Sequence, residues 1–563
     1  MRLCRWILPD DPDPILEAAL MRSLNLPQFA ARLLCLRNFR EIAAAEAFLR
    51  PRLRALSDPF DLPDMDVAVD RILSAVEKKE RIVLYGDYDV DGVTSLAFLK
   101  TVLDAYEAEV ECFLPNRMEE GYGLTPEGIR RCLKECRPEL LIALDCGTVS
   151  VNEIAGLQSA GVDVVVVDHH ECKQLLPACL ALVNPKRSPG FEDFCTVGLA
   201  FKVGHALLKR RPTSRIDLRD HLDLVALGTV ADLVPITGEN RILVQAGLRR
   251  IETAPRPGIQ ALIEVSGARS PLNTTDISFK LAPRLNAAGR LGDAKQALKL
   301  LLTQDYVVAH QIASVLDLQN RERQDLERAT FEQAVADAEK MLSKSARAIV
   351  VGRRGWHLGV LGIVASRLVR AYHCAAFVLG FDETGRGKGS GRSIEGVSLI
   401  KALGSCGEHL EQFGGHDQAA GLSMMESNLE AFRERFAQAI EEQINEENRT
   451  PRLLLDAELD LDAVDMTLLA CHAMLEPFGI GNPQPLFVAR GVAPVREPRV
   501  VREKHLLLQL RHHHRPVPAV YFGGAREELP RPPWDIAFRI ERNEYQGRVS
   551  PQVQVQHVRA CAD

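Results

Sequence analysis

The chain has 563 residues, room for three or four domains at roughly 100–200 residues each. With 46% hydrophobic and 26% charged residues it has the texture of a globular protein, which excludes a disordered or fibrous one. Sixty-nine Lys and Arg against 76 Asp and Glu give a net charge of −7, so no global basic field marks a nucleic-acid binder, and phosphate recognition would need a local basic channel.

No apolar run approaches the roughly 20 residues that span a bilayer. The first ten residues hold no sustained apolar core of a signal peptide. The 13 cysteines form no C-x-x-C pair, the usage of reduced, buried thiols. The expectation is a cytoplasmic protein with no membrane partner.

Residues 1 to about 75 read as helices and loops. Residues 41–49 suit a helix that Pro51 ends, and Phe48-Leu-Arg-Pro-Arg-Leu-Arg-Ala-Leu56 places three arginines on either a solvated turn or a phosphate contact. From about 80 the pattern changes. Ile82-Val-Leu-Tyr85 is a short buried strand. Asp87, Asp89 and Asp91 follow at alternate positions, before Gly92 and a helix start at Val93. Leu140-Leu-Ile-Ala-Leu144 runs into Asp145-Cys-Gly-Thr148, and Val162-Asp-Val-Val-Val-Val167 runs into Asp168-His-His-Glu171.

Three apolar runs that each stop at or just before an acid, with helical segments between, predict a parallel α/β sheet. Sites in such sheets form beyond the carboxyl ends of the strands. Crowded carboxylates repel unless a cation neutralises them, and their oxygens suit hard divalent ions. Asp89, Asp91, Asp145 and His169 are therefore candidates to converge on one metal crevice, with an acidic surface turn as the plain alternative for the first motif. Residues 221–235 are apolar at helical spacing until Gly228, and Pro235 ends the pattern. Asp232 inside this stretch needs a partner, either a salt bridge or a metal ion.

Residues 240 to about 340 read as mostly helical. Arg284, Asn286 and Arg290 fall in a loop rich in small residues; phosphate contact and ordinary surface arginines are both open. Residues 309–340 form a long charged helix that bridges two domains. Ala348-Ile-Val-Val351 starts a second α/β unit. Within it, Gly385-Arg-Gly-Lys-Gly-Ser-Gly-Arg-Ser393 and Phe413-Gly-Gly-His-Asp-Gln-Ala-Ala-Gly421 read as two glycine-rich polar loops. Together they suggest an anion cradle with Arg392, Ser393, Gly415 and His416 as contacts; a basic linker and a tight turn are the bland readings. Beyond 450, short strands such as Leu506-Leu-Leu-Gln-Leu510 and Val553-Gln-Val-Gln-His-Val558 alternate with turns, as in a small barrel of the oligonucleotide-binding (OB) type. His512-His-His514 looks like a metal tract but reads as a polar strand end, because no acid or Cys stands near it in sequence.

Taken together, Gly86-Asp-Tyr-Asp-Val-Asp-Gly92, Leu144-Asp-Cys-Gly-Thr148, Asp168-His-His170 and Gly228-Thr-Val-Ala-Asp-Leu-Val-Pro235 resemble the motifs of the DHH phosphoesterases. Gly389-Ser-Gly-Arg-Ser393 and Gly414-Gly-His-Asp-Gln-Ala-Ala-Gly421 resemble the DHH-associated domain. Phe48-Leu-Arg-Pro51 and Asp58-Pro-Phe-Asp-Leu-Pro-Asp-Met-Asp66 carry the likeness into the N-terminal region of the family's bacterial single-strand-specific exonucleases.

This resemblance covers nearly the whole chain. It implies an α/β fold: a parallel-sheet DHH domain and an α/β DHH-associated domain joined by a long helix, then a C-terminal OB-like barrel. The expected divisions are an N-terminal region (1–75), the catalytic domain (76–240), a helical connector (241–342), the associated domain (343–447) and the barrel (448–563). The resemblance also implies two Mn²⁺ or Mg²⁺ ions on Asp89, Asp91, Asp145, His169 and Asp232, with Asp145 shared. Asp87 and Asp168 would stand beside them, and His170 would hold a non-bridging phosphate oxygen. Tyr85 occupies a place where many smaller members carry His.

The implied activity is 5′ to 3′ exonucleolytic hydrolysis of single-stranded DNA in repair and recombination, by in-line attack of an activated water. A helicase and a single-strand-binding protein would be its partners. A phosphodiesterase of short oligonucleotides or cyclic dinucleotides, and a non-catalytic DNA-binding scaffold, are the rival readings.

Overall fold

Short runs of buried aliphatic residues build the first sheet. The computed structural model describes residues 4–116, 120–191, 193–342 and 348–561. Its first sheet comprises β1 (Ile82–Gly86), β2 (Val110–Phe113), β3 (Leu140–Leu144), β4 (Asp163–Val167) and β5 (Ala181–Val183). The order is β2-β1-β3-β4-β5, and every pairing is parallel. All residues of β1 and β3 are buried, because helices cover both faces, as a parallel sheet requires.

On one face lie α1 (Val90–Ala105), α2 (Thr196–Arg210) and α3 (Leu222–Ala231); Leu84, Phe98, Val203 and Leu227 share that core. The other face packs Val83, Leu141 and Val164 against Ile129 and Leu157. The edge strands β2 and β5 escaped sequence reading, being too short to show a period. α3 runs on through Gly228 instead of ending there. A Cβ at Gly228 would fall 2.6 Å from a Val197 methyl and 3.2 Å from Asp91 Oδ1. The glycine lets α3 lie close against α1 and α2 and does not break the helix.

The segment holding Arg284, Asn286 and Arg290 is also a helix, α4 (Ala282–Leu291), entered through a π turn, and not a loop. Its small residues, Ala287, Ala288 and Gly289, are buried and serve close packing. α5 (Tyr306–Leu342) has 37 residues and spans about 55 Å at 1.5 Å per residue. The expected start of the second α/β domain, residue 343, lies outside the described residues.

That domain contains β6 (Ala348–Arg354), α6 (Leu358–Tyr372), β7 (Ala375–Phe381), β8 (Arg386–Arg392), β9 (Gln412–Gly415) and β10 (Ala419–Met425). The sheet order is β9-β10-β8-β7-β6; β6 and β7 are parallel and the other pairs antiparallel. Both glycine-rich stretches are thus largely strands, not loops. Cβ atoms at Gly387, Gly389 and Gly391 would run into Phe381, Leu379 and Phe377 of β7. Those side chains fill the space above the glycines, and the two-residue period of a strand turns Arg386, Lys388, Ser390 and Arg392 to the opposite face.

In the C-terminal domain the strands Phe487–Pro494, His505–Arg511, Pro516–Tyr521, Trp534–Tyr545 and Arg548–Ala560 close into a ring. The first pairs with the fourth, the fourth with the fifth, the fifth with the third, the third with the second and the second with the first. This is a closed five-stranded barrel of the OB type. The expected N-terminal region, 1–75, is not one unit. Leu20, Leu33, Leu34 and Phe48 share the barrel's core with Phe487, Leu508 and Phe538, whereas Met65 and Ile72 belong to the core of the first sheet. Arg5–Ile7 also pairs in parallel with Arg452–Leu454.

Candidate metal centre

The ends of β1, β3 and β4 and the last turn of α3 deliver acidic and imidazole groups to one crevice. Asp89 caps α1, and its side chain accepts the amides of Asp91 at 2.9 Å and Gly92 at 3.2 Å. Asp91, buried in the first turn of α1, accepts Thr196 N on Oδ2 at 2.6 Å and Val197 N on Oδ1 at 2.8 Å. These are the first amides of α2, whose N-terminal donors favour a negative charge.

Asp145 follows β3 with φ 64°, a left-handed conformation that costs energy in a non-glycine residue and recurs at functional sites. Thr196 Oγ1 donates to its Oδ1 at 3.0 Å. His169 Nε2 lies 3.3 Å from Asp145 Oδ1, 3.5 Å from Asp232 Oδ2 and 3.9 Å from Asp91 Oδ2. That nitrogen is buried and, among the described residues, has no hydrogen-bond partner.

Ligating atoms of Asp87, Asp89 and Asp145 lie within 4.8 Å of one another, and so do those of Asp91, His169 and Asp232. Asp145 joins the two groups through His169. Asp87 stands inside the first group, closer in than the position beside the ligands that was expected of it. Tyr85 turns to the far layer of the sheet, stacks on Phe113 and donates to Gly123 O at 3.0 Å, so the first group consists of carboxylates alone.

Burial, with the neighbouring carboxylates, pushes Asp91 up to about 7 and Asp232 up to about 9, and lifts Asp145 well above the usual carboxylate range. Burial pulls His169 down to about 4, leaving it neutral at pH 7. Crowded acids without their countercharge, around a neutral imidazole whose nitrogen lacks a partner, fit a pair of hard divalent cations.

Asp168 and His170 form a different pair. Asp168 Oδ1 accepts the His169 amide at 2.8 Å, the His170 amide at 3.2 Å and His170 Nδ1 at 2.7 Å, and Oδ2 accepts the Thr148 amide at 3.0 Å. Burial alone would raise the Asp168 carboxyl, but the His170 hydrogen bond and charge outweigh it and hold it far below the usual range. Burial likewise works against a charged His170, yet Asp168 raises its pKa above the ordinary histidine value.

Tyr122 was missed in the sequence. Its hydroxyl donates to Asp145 O at 3.1 Å and stands 3.1 Å from His170 Nε2, so it can accept a proton bond from that nitrogen. The one signal was an aromatic residue between Gly121 and Gly123, both at positive φ. Asn184, just after β5, was also missed; it donates to Thr148 Oγ1 and His170 O, each at 2.9 Å.

The expected phosphate contacts fare differently. Arg284 pairs with Asp317 at 2.7 Å and bonds Lys280 O, and Arg290 donates to Gly359 O at 3.0 Å, tying α4 to α6. Both guanidiniums are engaged in helix packing. Asn286 is half-buried on the same helix. Ser393 Oγ donates to Val397 O at 2.8 Å, which leaves Ser390 as the β8 serine that lines the cleft. Arg392 donates to Ser390 Oγ at 3.2 Å. Gly415, at φ 134°, turns the chain between β9 and β10, and His416 N donates to Ala419 O at 2.8 Å. The exposed His416 imidazole helps Lys186 hold the Glu171 carboxylate below its usual range, which places it across from the Asp168-His-His-Glu171 motif.

Between the two α/β domains, Tyr88, Tyr122, Leu358, Lys388 and Ser390 line a cavity of about 180 Å³. It adjoins a trough of about 1270 Å³ bordered by Trp356, Lys388, Phe413, Gly421 and Leu422.

Residues 81–229 match the N-terminal domain of the DHH family, residues 345–442 the DHHA1 domain and residues 455–557 the RecJ OB domain. The single-stranded-DNA-specific exonuclease RecJ of Dickeya dadantii is 35% identical, over 95% of this chain and 96% of its own length. The chain belongs to the RecJ family. RecJ of Bacillus subtilis is also 35% identical, over 98% of this chain and 70% of its own length. The crystal structure of Thermus thermophilus RecJ with Mn²⁺ superposes with a TM-score of 0.86 at 31% identity, covering 100% of this chain and 80% of that one. The same RecJ has been solved with Mg²⁺. The combination of DHH sheet, DHHA1 sheet and OB barrel is therefore that of RecJ, and the DHH match contains every acid and histidine of the crevice except Asp232.

Proposed function

We propose that the chain is a two-metal exonuclease of single-stranded DNA, working 5′ to 3′ in repair and recombination. The observation that carries this reading is the pair of ligand groups, linked where Asp145 meets His169, beside a cavity between the two α/β domains. Asp89, Asp91, Asp145, His169 and Asp232 hold two Mn²⁺ or Mg²⁺ ions, and Asp87 contributes to the all-carboxylate group. When bound, the ions activate a water and neutralise the charge of the scissile phosphate.

The chain's own groups do the rest. The first amides of α2 orient Asp91. Asp168 raises the His170 pKa and orients its ring toward the charge that develops on the phosphate. Tyr122 fixes its free edge. The exposed Tyr122 ring, backed edge-on by the buried Tyr88, offers a face for a base. Lys388, Ser390 and Arg392, in a row on β8, and His416 at the hairpin tip hold backbone phosphates. A single-stranded substrate would be supplied from duplex by a helicase, and a single-strand-binding protein is its natural companion. Among the described residues no helix is long and apolar enough to cross a membrane, and cytoplasmic action on DNA agrees with that.

The test uses long single strands labelled at either end, a blunt duplex and a cyclic dinucleotide, each with Mn²⁺. Release of mononucleotides from the 5′ end, with the duplex resistant, is expected. Faster turnover of the cyclic dinucleotide than of the strand would point to a small-substrate phosphodiesterase. No turnover of any substrate would point to a scaffold.

A further inference from the structure

A second cluster of ligating side chains sits in the barrel, apart from the catalytic crevice. His512, His513 and His514 follow the strand His505–Arg511, and the sequence offers them no nearby acid. The fold brings one from 52 residues upstream. Asp460 caps the short helix Leu461–Ala463 and sets Oδ1 2.9 Å from His512 Nδ1 and Oδ2 3.5 Å from His513 Nε2. The strand-end reading rests on the lack of a nearby acid in sequence, and the fold supplies one in space. The two imidazoles stack with ring centroids 3.9 Å apart at 24°, so both present a nitrogen to one carboxylate.

The surroundings hold this arrangement from both sides. Asp460 Oδ1 accepts the Asp462 amide at 2.8 Å. The Asp462 carboxylate accepts the amides of His514 at 2.8 Å and Arg515 at 3.3 Å. Arg515 Nη2 donates to the carbonyls of Asp462 and Val464. The ligating groups are thus positioned by bonds that do not depend on an ion, which is the preorganisation a metal site needs. The His512 side chain is 14% exposed and that of His513 55%, so the cluster is anchored on one side and open to solvent on the other.

We propose that Asp460, His512 and His513 form a third metal site, selective for a borderline transition ion of the Zn²⁺ or Ni²⁺ class. Two imidazoles and a carboxylate suit such ions, with bonds of about 2.0–2.2 Å and solvent in the remaining position; Mn²⁺ and Mg²⁺ prefer oxygen-rich sites like the catalytic crevice. Two ligands of a tetrahedral ion with such bonds stand about 3.3 Å apart; Asp460 Oδ1 lies 2.9 Å from His512 Nδ1, and His513 Nε2 faces the other oxygen at 3.5 Å. Ligation through His512 Nδ1 leaves the ring neutral with its proton on Nε2, and needs little movement of the turn. The ion ties this turn to the segment that leads into the helix Met466–Ala473.

Untagged full-length protein, saturated with Mn²⁺, is titrated with Ni²⁺ by calorimetry beside the His512→Gln/His513→Gln double variant. The wild type should take up one equivalent more than the variant. Equal uptake overturns the site and leaves a hydrogen-bonded surface turn. If the double variant does not fold, His513→Gln alone decides, because its ring is mostly exposed. A loss of affinity of about tenfold or more supports the site, and unchanged affinity overturns it.

Discussion

Asp145 carries two demands at once: in the proposed site it serves both ions, and it holds φ 64°. Asn tolerates that conformation far better than Ala, so Asp145→Asn is the cleaner probe. Displacing groups that merely orient ligands costs about 10–100-fold, and a shared ligand should cost more. Asp145→Asn should therefore lower the single-turnover rate by more than about 100-fold while circular dichroism and melting stay near wild type.

The carboxylates also predict a pH effect. With Asp91 pushed up to about 7 and Asp232 to about 9, the metal-free folded chain holds protons that the unfolded chain has lost above pH ~4. The contribution to stability is full below the unfolded pKa and is lost as pH rises through the folded values. Melting temperature without metal should fall from pH ~5 to pH ~9, and Mn²⁺ should raise it more at the alkaline end, where the ligands are free of protons. An Mn²⁺ shift independent of pH would count against these carboxylates as ligands.

Asp89, Asp91, Asp145 and His169 could be read from the sequence because strand ends announce them. Tyr122 and Asn184 could not, since their roles exist only through contacts with His170 made 48 and 14 residues away.

At the scale of elements, glycine content misled. Gly387, Gly389 and Gly391 signal flexibility in a string of letters, yet in β8 they are the positions over which Phe381, Leu379 and Phe377 pack. The missing information was tertiary: β7 lies alongside and supplies the volume. In the same way the small residues of α4 suggest a loop as long as the neighbouring helices are out of view. On β10 the opposite situation holds. A Cβ at Gly421 would meet nothing nearer than Gly389 O at 3.7 Å, and the residue borders the trough. Valine favours strands, so Gly421→Val should fold and melt as the wild type does. It should also weaken binding of long strands by about tenfold, roughly 1.4 kcal/mol, with dinucleotide cleavage unchanged. An equal effect on both substrates would remove the trough from the strand path.

Across the whole molecule, the barrel and the catalytic domain are locked together by a buried cation. Arg241 is 1% exposed and donates to Phe48 O at 2.8 Å, Pro477 O at 3.1 Å and Glu476 O at 2.6 Å, with its guanidinium 3.7 Å from the Phe48 ring centroid. Arg241→Ala strands three carbonyls at about 1–3 kcal/mol each where they remain dry. Urea unfolding should show a loss of about 3 kcal/mol or more, and a loss under 1 kcal/mol would mean that water replaces the guanidinium. The domain order was legible because each unit has its own periodicity. That helices from the beginning of the chain complete the barrel was not, because no local pattern reports a partner more than 400 positions away.

A ribosome making this chain finishes residues 14–49 roughly 400 residues before it finishes the barrel strands that bury them, a wait on the order of 20–80 s at about 5–20 residues per second. Throughout that interval Leu20, Leu33, Leu34 and Phe48 lack the core they share with Phe487 and Phe538, whereas the catalytic sheet has all its strands once residue 183 is made. The segment translated first is therefore among the last to fold. Nascent chains arrested before residue 450 should yield to protease within 14–49 and resist it within the sheet, and it is at these early helices that a chaperone would have to wait.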